Sequence, residues 1–388
     1  MDRLTKIWLN GYKSFMYDPR AVHPGVAIDE QVYLGEAVEF GDVTVLLGAN
    51  GAGKSNLVSF FRMLNFMVTG ALQEYIGREG TSDSLLYYGR QNTPKMQAAV
   101  EFKGQGRQNR YLMTLADAAP DTLIFTDEVV TYRREGYPRP QQVSLGSGHK
   151  ESRLNECSEQ GDATCGVIFH MLSRCRCYQF HDTSPTANIR KRVYAEDADY
   201  LRSDGGNLAA YLRALRQTHR SYYDRIIETI RLAFPQFGDF VLEPAPQNNR
   251  YLLLNWCEAG RSDYLFGPHQ LSDGTLRFMA LAALFLQPPQ RLPSVIVIDE
   301  PELGLHPYAI TVLASMVNTA AKKCQVVLST QSTRLVDEFD VGQITVVERD
   351  PKENCTRCKR PDTKILEDWV QRYSTSELWE KNVLGGRP

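Results

Sequence analysis

At 388 residues with 43% hydrophobic content, the chain can bury one large core or two lobes. Charged residues make up 23% and the formal net charge is −2, which excludes a global positive field for nucleic acid and leaves only a local basic patch for that purpose. No run of 18 or more apolar residues occurs, which excludes a membrane-spanning helix.

In chain order, the opening Met1-Asp2-Arg3-Leu4-Thr5-Lys6 lacks the apolar core and cleavage site of a secretory signal, so a cytoplasmic protein is expected. Residues 4–9 alternate as a strand. Gly41-Asp42 leads into Val43-Thr44-Val45-Leu46-Leu47, a short apolar run that reads as a buried strand, and a helix is predicted over about 54–67. Residues 96–102, 110–116 and 122–132 read as antiparallel strands split by turns such as Gly104-Gln105-Gly106. The polar stretch 134–175 reads as a long loop, either functional or mobile. Leu208, Tyr211, Leu212 and Leu215 predict one amphipathic helix. Tyr223, Ile226, Ile227, Ile230 and Phe234 predict a second. Strands are expected near 240–242 and 251–256. From there apolar runs at 295–298, 325–328 and 344–347 alternate with helices, the pattern of a largely parallel α/β sheet. No heptad pattern is sustained, so no long coiled coil is expected.

Eight cysteines stand at 157, 165, 175, 177, 257, 324, 355 and 358. A disulfide framework is not expected in a long chain read as cytosolic. The close pairs Cys175/Cys177 and Cys355/Cys358 could supply zinc ligands, but no second pair has matching spacing, and free thiols are the preferred reading.

Three motifs carry chemistry. Gly48-Ala49-Asn50-Gly51-Ala52-Gly53-Lys54-Ser55 fits G-x-x-x-x-G-K-[ST] between an apolar strand and a helix, the context a phosphate loop requires. Its glycines let backbone N–H groups turn inward around a phosphate, and the helix N-terminus adds positive partial charge. Lys54 should reach the β- and γ-phosphates of ATP and Ser55 should ligate Mg²⁺; Asn56, next in the helix, is also counted among the nucleotide contacts. Val295-Ile296-Val297-Ile298-Asp299-Glu300 is an apolar strand ending in two carboxylates. Asp299 can face the magnesium, and Glu300, pointing the other way, can orient or deprotonate a water. Leu271-Ser272-Asp273-Gly274-Thr275 precedes an apolar helix, with Ser272 as a candidate N-cap and Gly274 permitting close backbone approach.

With these three in order, the chain resembles the ABC-type ATPases. Leu271 to Thr275 looks like the ABC signature, usually LSGGQ, and Val295 to Glu300 like its Walker B strand. Asn50 and Gly11-Tyr12-Lys13-Ser14-Phe15 resemble RecF and SMC heads. Glu302-Leu303-Gly304-Leu305-His306-Pro307, Tyr178 to Ser184 and Arg202 to Leu208 are similar to the stand-alone OLD and RecF-like ATPases. The resemblance implies a P-loop NTPase of ABC type with three regions. A lobe over about 1–184 carries the phosphate loop and an antiparallel β-subdomain, a helical lobe over about 185–348 carries the signature and Walker B, and a tail spans about 349–388. It further implies a head-to-tail homodimer, or a higher even oligomer, in which Ser272 and Gly274 serve the partner's ATP and Gly304 to His306 cross the interface.

Two departures stand out. The switch position, often His in ABC proteins, is Gln331, which can donate to a γ-phosphate but carries no charge, so slow or partner-dependent hydrolysis is expected. Asp273 replaces a signature glycine. Gln179 and His181 are the candidates for the Q-loop. Lys13 is a candidate α-phosphate contact or an exposed lysine, and Tyr12, Phe15 and Tyr17 are adenine stackers or core. Arg190-Lys191-Arg192 and Arg133-Arg134 could meet DNA, but solvated surface is the preferred reading.

The expected role is a regulatory ATPase that controls a separate effector, such as a nuclease, in DNA maintenance or anti-phage defence. Only residues 308–388 follow Pro307, and they are expected to complete the sheet and a tail, leaving the nuclease to a partner. An ATP-holding scaffold with little turnover and a transporter subunit are the alternatives.

Overall fold

Period-two patterning dominates the first third of the chain, and six strands there form one antiparallel sheet in the computed structural model, which describes residues 2–21, 35–137, 140–244 and 250–386. The strand order is Glu36–Glu39, Arg3–Asn10, Lys95–Gly104, Arg107–Ala118, Thr122–Arg134, Gln141–Gly146. A register shift between Leu4 and Lys6 inserts one residue into the first strand. It resets the parity, so Leu4, Ile7 and Leu9 are all buried although their spacing is not strictly two. On the same sheet, Trp8 packs on Ala99, Leu112 and Val129, and the cations of Lys6 and Arg110 lie 5.5 Å from its ring centre.

Two acidic side chains are buried in this sheet, and each is answered by donors. Glu128 accepts from Tyr111 Oη at 2.6 Å, from the Arg153 amide at 3.1 Å and from Ser152 Oγ, with His149 Nε2 at 2.7 Å. Glu101 accepts from Arg110 Nε and Thr5 Oγ1, both at 2.8 Å, and pairs with Lys103 at 3.0 Å. Burial alone would push the Glu101 carboxyl up, but Arg110, Thr5 and Lys103 together hold it below the usual range.

The chain divides into two compact units, Met1–Arg176 with Asp340–Pro388, and Cys177–Phe339. In the first, the predicted strand Val43–Leu47 is wholly buried and runs parallel to Ile344–Arg349, with Ile344 opposite Val45. Thr356–Lys359 adds an antiparallel edge. The helix Lys54–Val68 follows the glycine loop. In the second unit Val295–Asp299 and Gln325–Thr330 are parallel and fully buried, with Asp299 opposite Ser329. Helices Leu208–Thr218, Arg220–Ala233, Asp273–Phe285 and Pro307–Ala320 accompany them. The run predicted as one strand over 251–256 is two. Tyr251–Leu252 pairs with Val193–Tyr194, while Asn255–Glu258 joins Phe237–Val241 and Arg261–Phe266 around Phe237, Phe240, Trp256 and Phe266.

The stretch 134–175 is not a long loop. Apart from residues 138–139, which lie outside the described residues, it contains the strand Gln141–Gly146 and the helices Leu154–Glu159 and Ala163–Ser173. Asp162 caps the second helix by accepting from the Cys165 amide at 2.8 Å. Cys165, Ile168, Met171 and Leu172 supply its buried residues, and Leu154 is the buried residue of the first helix. Composition predicts no disulfide, yet Cys157 and Cys165 are bonded to each other. Cys175, Cys177, Cys355 and Cys358 form no disulfide, and among the described residues they do not gather into a cluster of metal-ligating groups. No helix of the described residues is long and apolar enough to cross a membrane, and the longest has 15 residues, too short for a coiled-coil arm.

Because its folded-state pKa is lowered, Glu101 contributes stability above the ordinary carboxylate value of about 4.3 and loses it as pH falls through the folded value. Glu101→Gln should therefore cost roughly 2–3 kcal/mol at pH 7, with the deficit vanishing in acid, as read from urea melts across pH.

Candidate functional site

Gly51 and Gly53 have φ of +78° and +111°, left-handed values that favour glycine. Gly48 and Gly53 are required for a second reason. A Cβ on Gly48 would lie 2.1 Å from the Val347 carbonyl oxygen, and one on Gly53 would lie 2.0 Å from Thr356 Oγ1 and 2.9 Å from Ser14 Oγ. The loop is thus seated against the neighbouring strands with no room for a side chain. Among the described residues, the amides of Asn50, Gly51 and Gly53 have no hydrogen-bond acceptor within the protein. Buried donors normally find partners, so the Gly53 amide in particular fits a phosphate oxygen. Lys54 is buried at the start of the helix, its Nζ donating to the Gly48 and Ala49 carbonyls at 2.6 and 2.9 Å. Ser55 is exposed one residue on.

A brace lies beneath the loop. Thr356 Oγ1 donates to the Ala52 carbonyl at 2.8 Å and bonds Ser14 Oγ at 2.7 Å, and the Thr356 amide donates to the Ser14 carbonyl at 2.8 Å. Asn56 faces this brace, donating to Ser14 Oγ at 2.7 Å. Ser14 and Thr356 lie so far apart in sequence that only the fold unites them. Lys13 is not an exposed lysine. It pairs with Glu79 at 2.5 Å, with both side chains largely buried. Tyr12 and Phe15 are fully buried, Tyr12 edge-on to Phe60, so both are core residues.

In the second unit the strand Val295–Asp299 delivers its carboxylates differently. Asp299 is 8% exposed, whereas Glu300 turns out with φ +40°, its amide donating to the Ser329 carbonyl at 2.7 Å. Gln331 Nε2 donates to Glu300 Oε1 at 3.3 Å, so the residue at the switch position touches the candidate base. His181 Nε2 bonds the Asp299 carbonyl at 2.7 Å, while Gln179 is exposed. A carbonyl only accepts, so Nε2 carries a proton and donates it here.

Glu302 follows in the loop after the strand. Burial, with the charges of Glu300 and Asp299 adding to it, pushes its carboxyl up to about 7, even though Thr330 donates to it. Three carboxylates in four residues concentrate negative charge, and oxygen donors of this kind suit a hard divalent cation such as Mg²⁺.

The signature begins as expected, with Ser272 Oγ accepting from the Thr275 amide at 3.1 Å as N-cap of Asp273–Phe285. A Cβ on Gly274 would lie 2.1 Å from the Gly304 carbonyl oxygen, so helix start and post-strand loop are in backbone contact. Arg277, 5% exposed, ties three segments together. It donates to the Phe180 carbonyl at 2.9 Å, to the His181 carbonyl at 3.1 Å and to the Leu303 carbonyl. Sequence reading passes over Arg277 and Thr356 and takes Ser14 only as part of Gly11 to Phe15; the one available signal for Arg277 is an arginine inside a run of apolar helix residues.

The architecture is that of an SMC head, a P-loop NTPase fold of ABC type. The Smc head bound to the C-terminal winged-helix domain of ScpA matches with TM-score 0.58 over 94% of this chain and 99% of that one, at 16% identity. The Smc head with an extended coiled coil, bound to the C-terminal domain of ScpA derived from Pyrococcus furiosus, matches with TM-score 0.55 over 96% and 99%, at 14% identity. At such identities the likeness is one of fold. Residues 179–337 match the family described as "AAA domain, putative AbiEii toxin, Type IV TA system". These findings agree with the ABC-type, RecF- and SMC-like resemblance of the motifs. No curated protein matches the chain.

Glu302 keeps its proton to about pH 7, whereas the unfolded chain releases it near 4.3, so stability falls as pH rises between the two. Glu302→Gln should stabilise the nucleotide-free protein by roughly 1–3 kcal/mol at pH 8 and progressively less toward pH 5, as read from urea melts. Gly274→Ala should push the Gly304 loop away and destabilise by roughly 2 kcal/mol or more on the same measurement.

Proposed function

We propose that this chain binds ATP with Mg²⁺ and hydrolyses it between two copies of itself, as a homodimer or higher even oligomer. The observation that carries the reading is the glycine loop with unsatisfied amides and a buried lysine at a helix start. In this reading Gly48 to Ser55 hold the triphosphate, Lys54 neutralises its charge, and Ser55 and Asp299 hold the magnesium, which supplies Lewis-acid stabilisation of phosphoryl oxygens. Glu300 orients and deprotonates the attacking water, Gln331 holds Glu300 and reads the γ-phosphate, and Ser272 with Gly274 completes the partner's site.

The ATPase then acts as a cytoplasmic regulatory subunit controlling a separate effector, such as a nuclease, in anti-phage defence or DNA maintenance, with DNA as a further ligand to test. The match to a family described by a toxin and a type IV TA system favours the defence context. The Smc heads that share the fold are bound to domains of another protein, which favours a separate partner. The Glu300–Gln331 hydrogen bond supports a second reading, a scaffold that holds ATP with little turnover, because Glu300 engaged in this way is less available to a water.

Lys54→Ala should abolish binding of a fluorescent ATP analogue. Glu300→Gln should keep binding, cut turnover about 100-fold and accumulate an ATP-bound dimer in sedimentation. Wild-type protein with Mg²⁺ that shows no affinity for adenine nucleotides would sink the reading. Equal, near-zero turnover in wild type and Glu300→Gln would select the scaffold.

A further inference from the structure

Of the basic run Arg190-Lys191-Arg192, two residues are exposed and one is not. Arg190 is only 6% exposed, so the solvated-surface reading holds for Lys191 and Arg192 and fails for Arg190. Its guanidinium is spent entirely on the approach to the signature. Nε donates to the Thr183 carbonyl at 2.7 Å, and the terminal nitrogens donate to the carbonyls of Pro268 and of Leu271, the latter at 3.2 Å. The remaining bond, at 2.7 Å, goes to Oδ1 of Asp273, whose side chain is 66% exposed. Only a planar five-donor group can serve three carbonyls and a carboxylate at once; a lysine ammonium cannot.

Asp273 stands where the signature usually carries glycine. A carboxylate at the first position of a helix is favourable for the helix itself. For a triphosphate approaching the same N-terminus it is a like charge. We infer that Arg190 is the built-in counter-ion of this signature, a positioning residue that cancels the charge of Asp273 and holds the peptide before Ser272 in place. This rests on the reading that Ser272 and Gly274 serve a nucleotide held by a second copy. The acidic departure from the signature is thereby a matched pair, Arg190 with Asp273. A charge distant in sequence makes the helix start acceptable to an anion. Arg190 itself is a poor candidate for a DNA contact, because its donors are already used.

The test is ATP-driven self-association of the full chain with Mg²⁺, followed by sedimentation, beside the affinity of the dilute chain for a fluorescent ATP analogue. Asp273→Asn keeps the hydrogen-bond acceptor and removes the charge at an exposed position where folding is not at risk. It should tighten association about threefold. Arg190→Gln should weaken association about tenfold while the affinity for the analogue stays within about twofold. Adding Asp273→Asn to Arg190→Gln should recover much of that loss, because the uncompensated carboxylate is gone. Weaker association of Asp273→Asn alone, or a double variant no better than Arg190→Gln, would overturn the counter-ion role. Wild-type protein that binds the analogue but never self-associates would instead overturn the two-copy reading beneath it.

Discussion

The unit that carries the glycine loop depends on backbone approaching its neighbours more closely than any side chain permits. Gly48 lies under the Val347 carbonyl and Gly53 against Thr356 and Ser14, and both contacts leave less space than a methyl group occupies. The chain makes left-handed turns at Gly51 and Gly53, and the amides of Asn50, Gly51 and Gly53 find no acceptor among the described residues. A loop of this kind is unfavourable for the protein alone. The surrounding strands hold it, and the unsatisfied donors are what an anion can use.

The second unit repeats the device in another form. The start of the signature helix meets the loop after the acidic strand through Gly274 and Gly304, and Arg277 fastens both to the segment bearing His181. Charged groups are buried throughout this region, and their partners are mostly backbone carbonyls rather than opposite charges. Arginine bound to several carbonyls fixes the relative positions of segments that have no sheet or helix in common. A hydrophobic contact of similar size would fix them less specifically.

What was legible in the sequence was local. The phosphate loop, its strand and its helix fall within 26 consecutive residues, Val43 to Val68, and each is specified by neighbours. The antiparallel strands were readable from alternation, and Ser272 from its place before an apolar run. Leu154–Glu159 was hidden because Leu154 alone is buried in it and makes no stripe, and Ala163–Ser173 because its apolar residues, the exposed Val167 among them, are not confined to one face. The disulfide between Cys157 and Cys165 was hidden because length and assumed compartment argued against it. Arg190 was hidden by its neighbours: Lys191 and Arg192 are exposed, and nothing local distinguishes the one guanidinium that turns inward. The brace of Ser14 and Thr356 has no local signature at all.

That brace has a consequence for synthesis. Ser14 leaves the ribosome 342 residues ahead of Thr356, and the whole unit Cys177–Phe339 is made in between. Domains often fold as they emerge. Here the glycine loop is complete in sequence long before the threonine that supports it exists, so a nascent chain carries this segment without its final support until Thr356 is made. The support of the loop arrives only after that unit has been made, and a chain terminated before Thr356 carries the motif without the contacts that shape it.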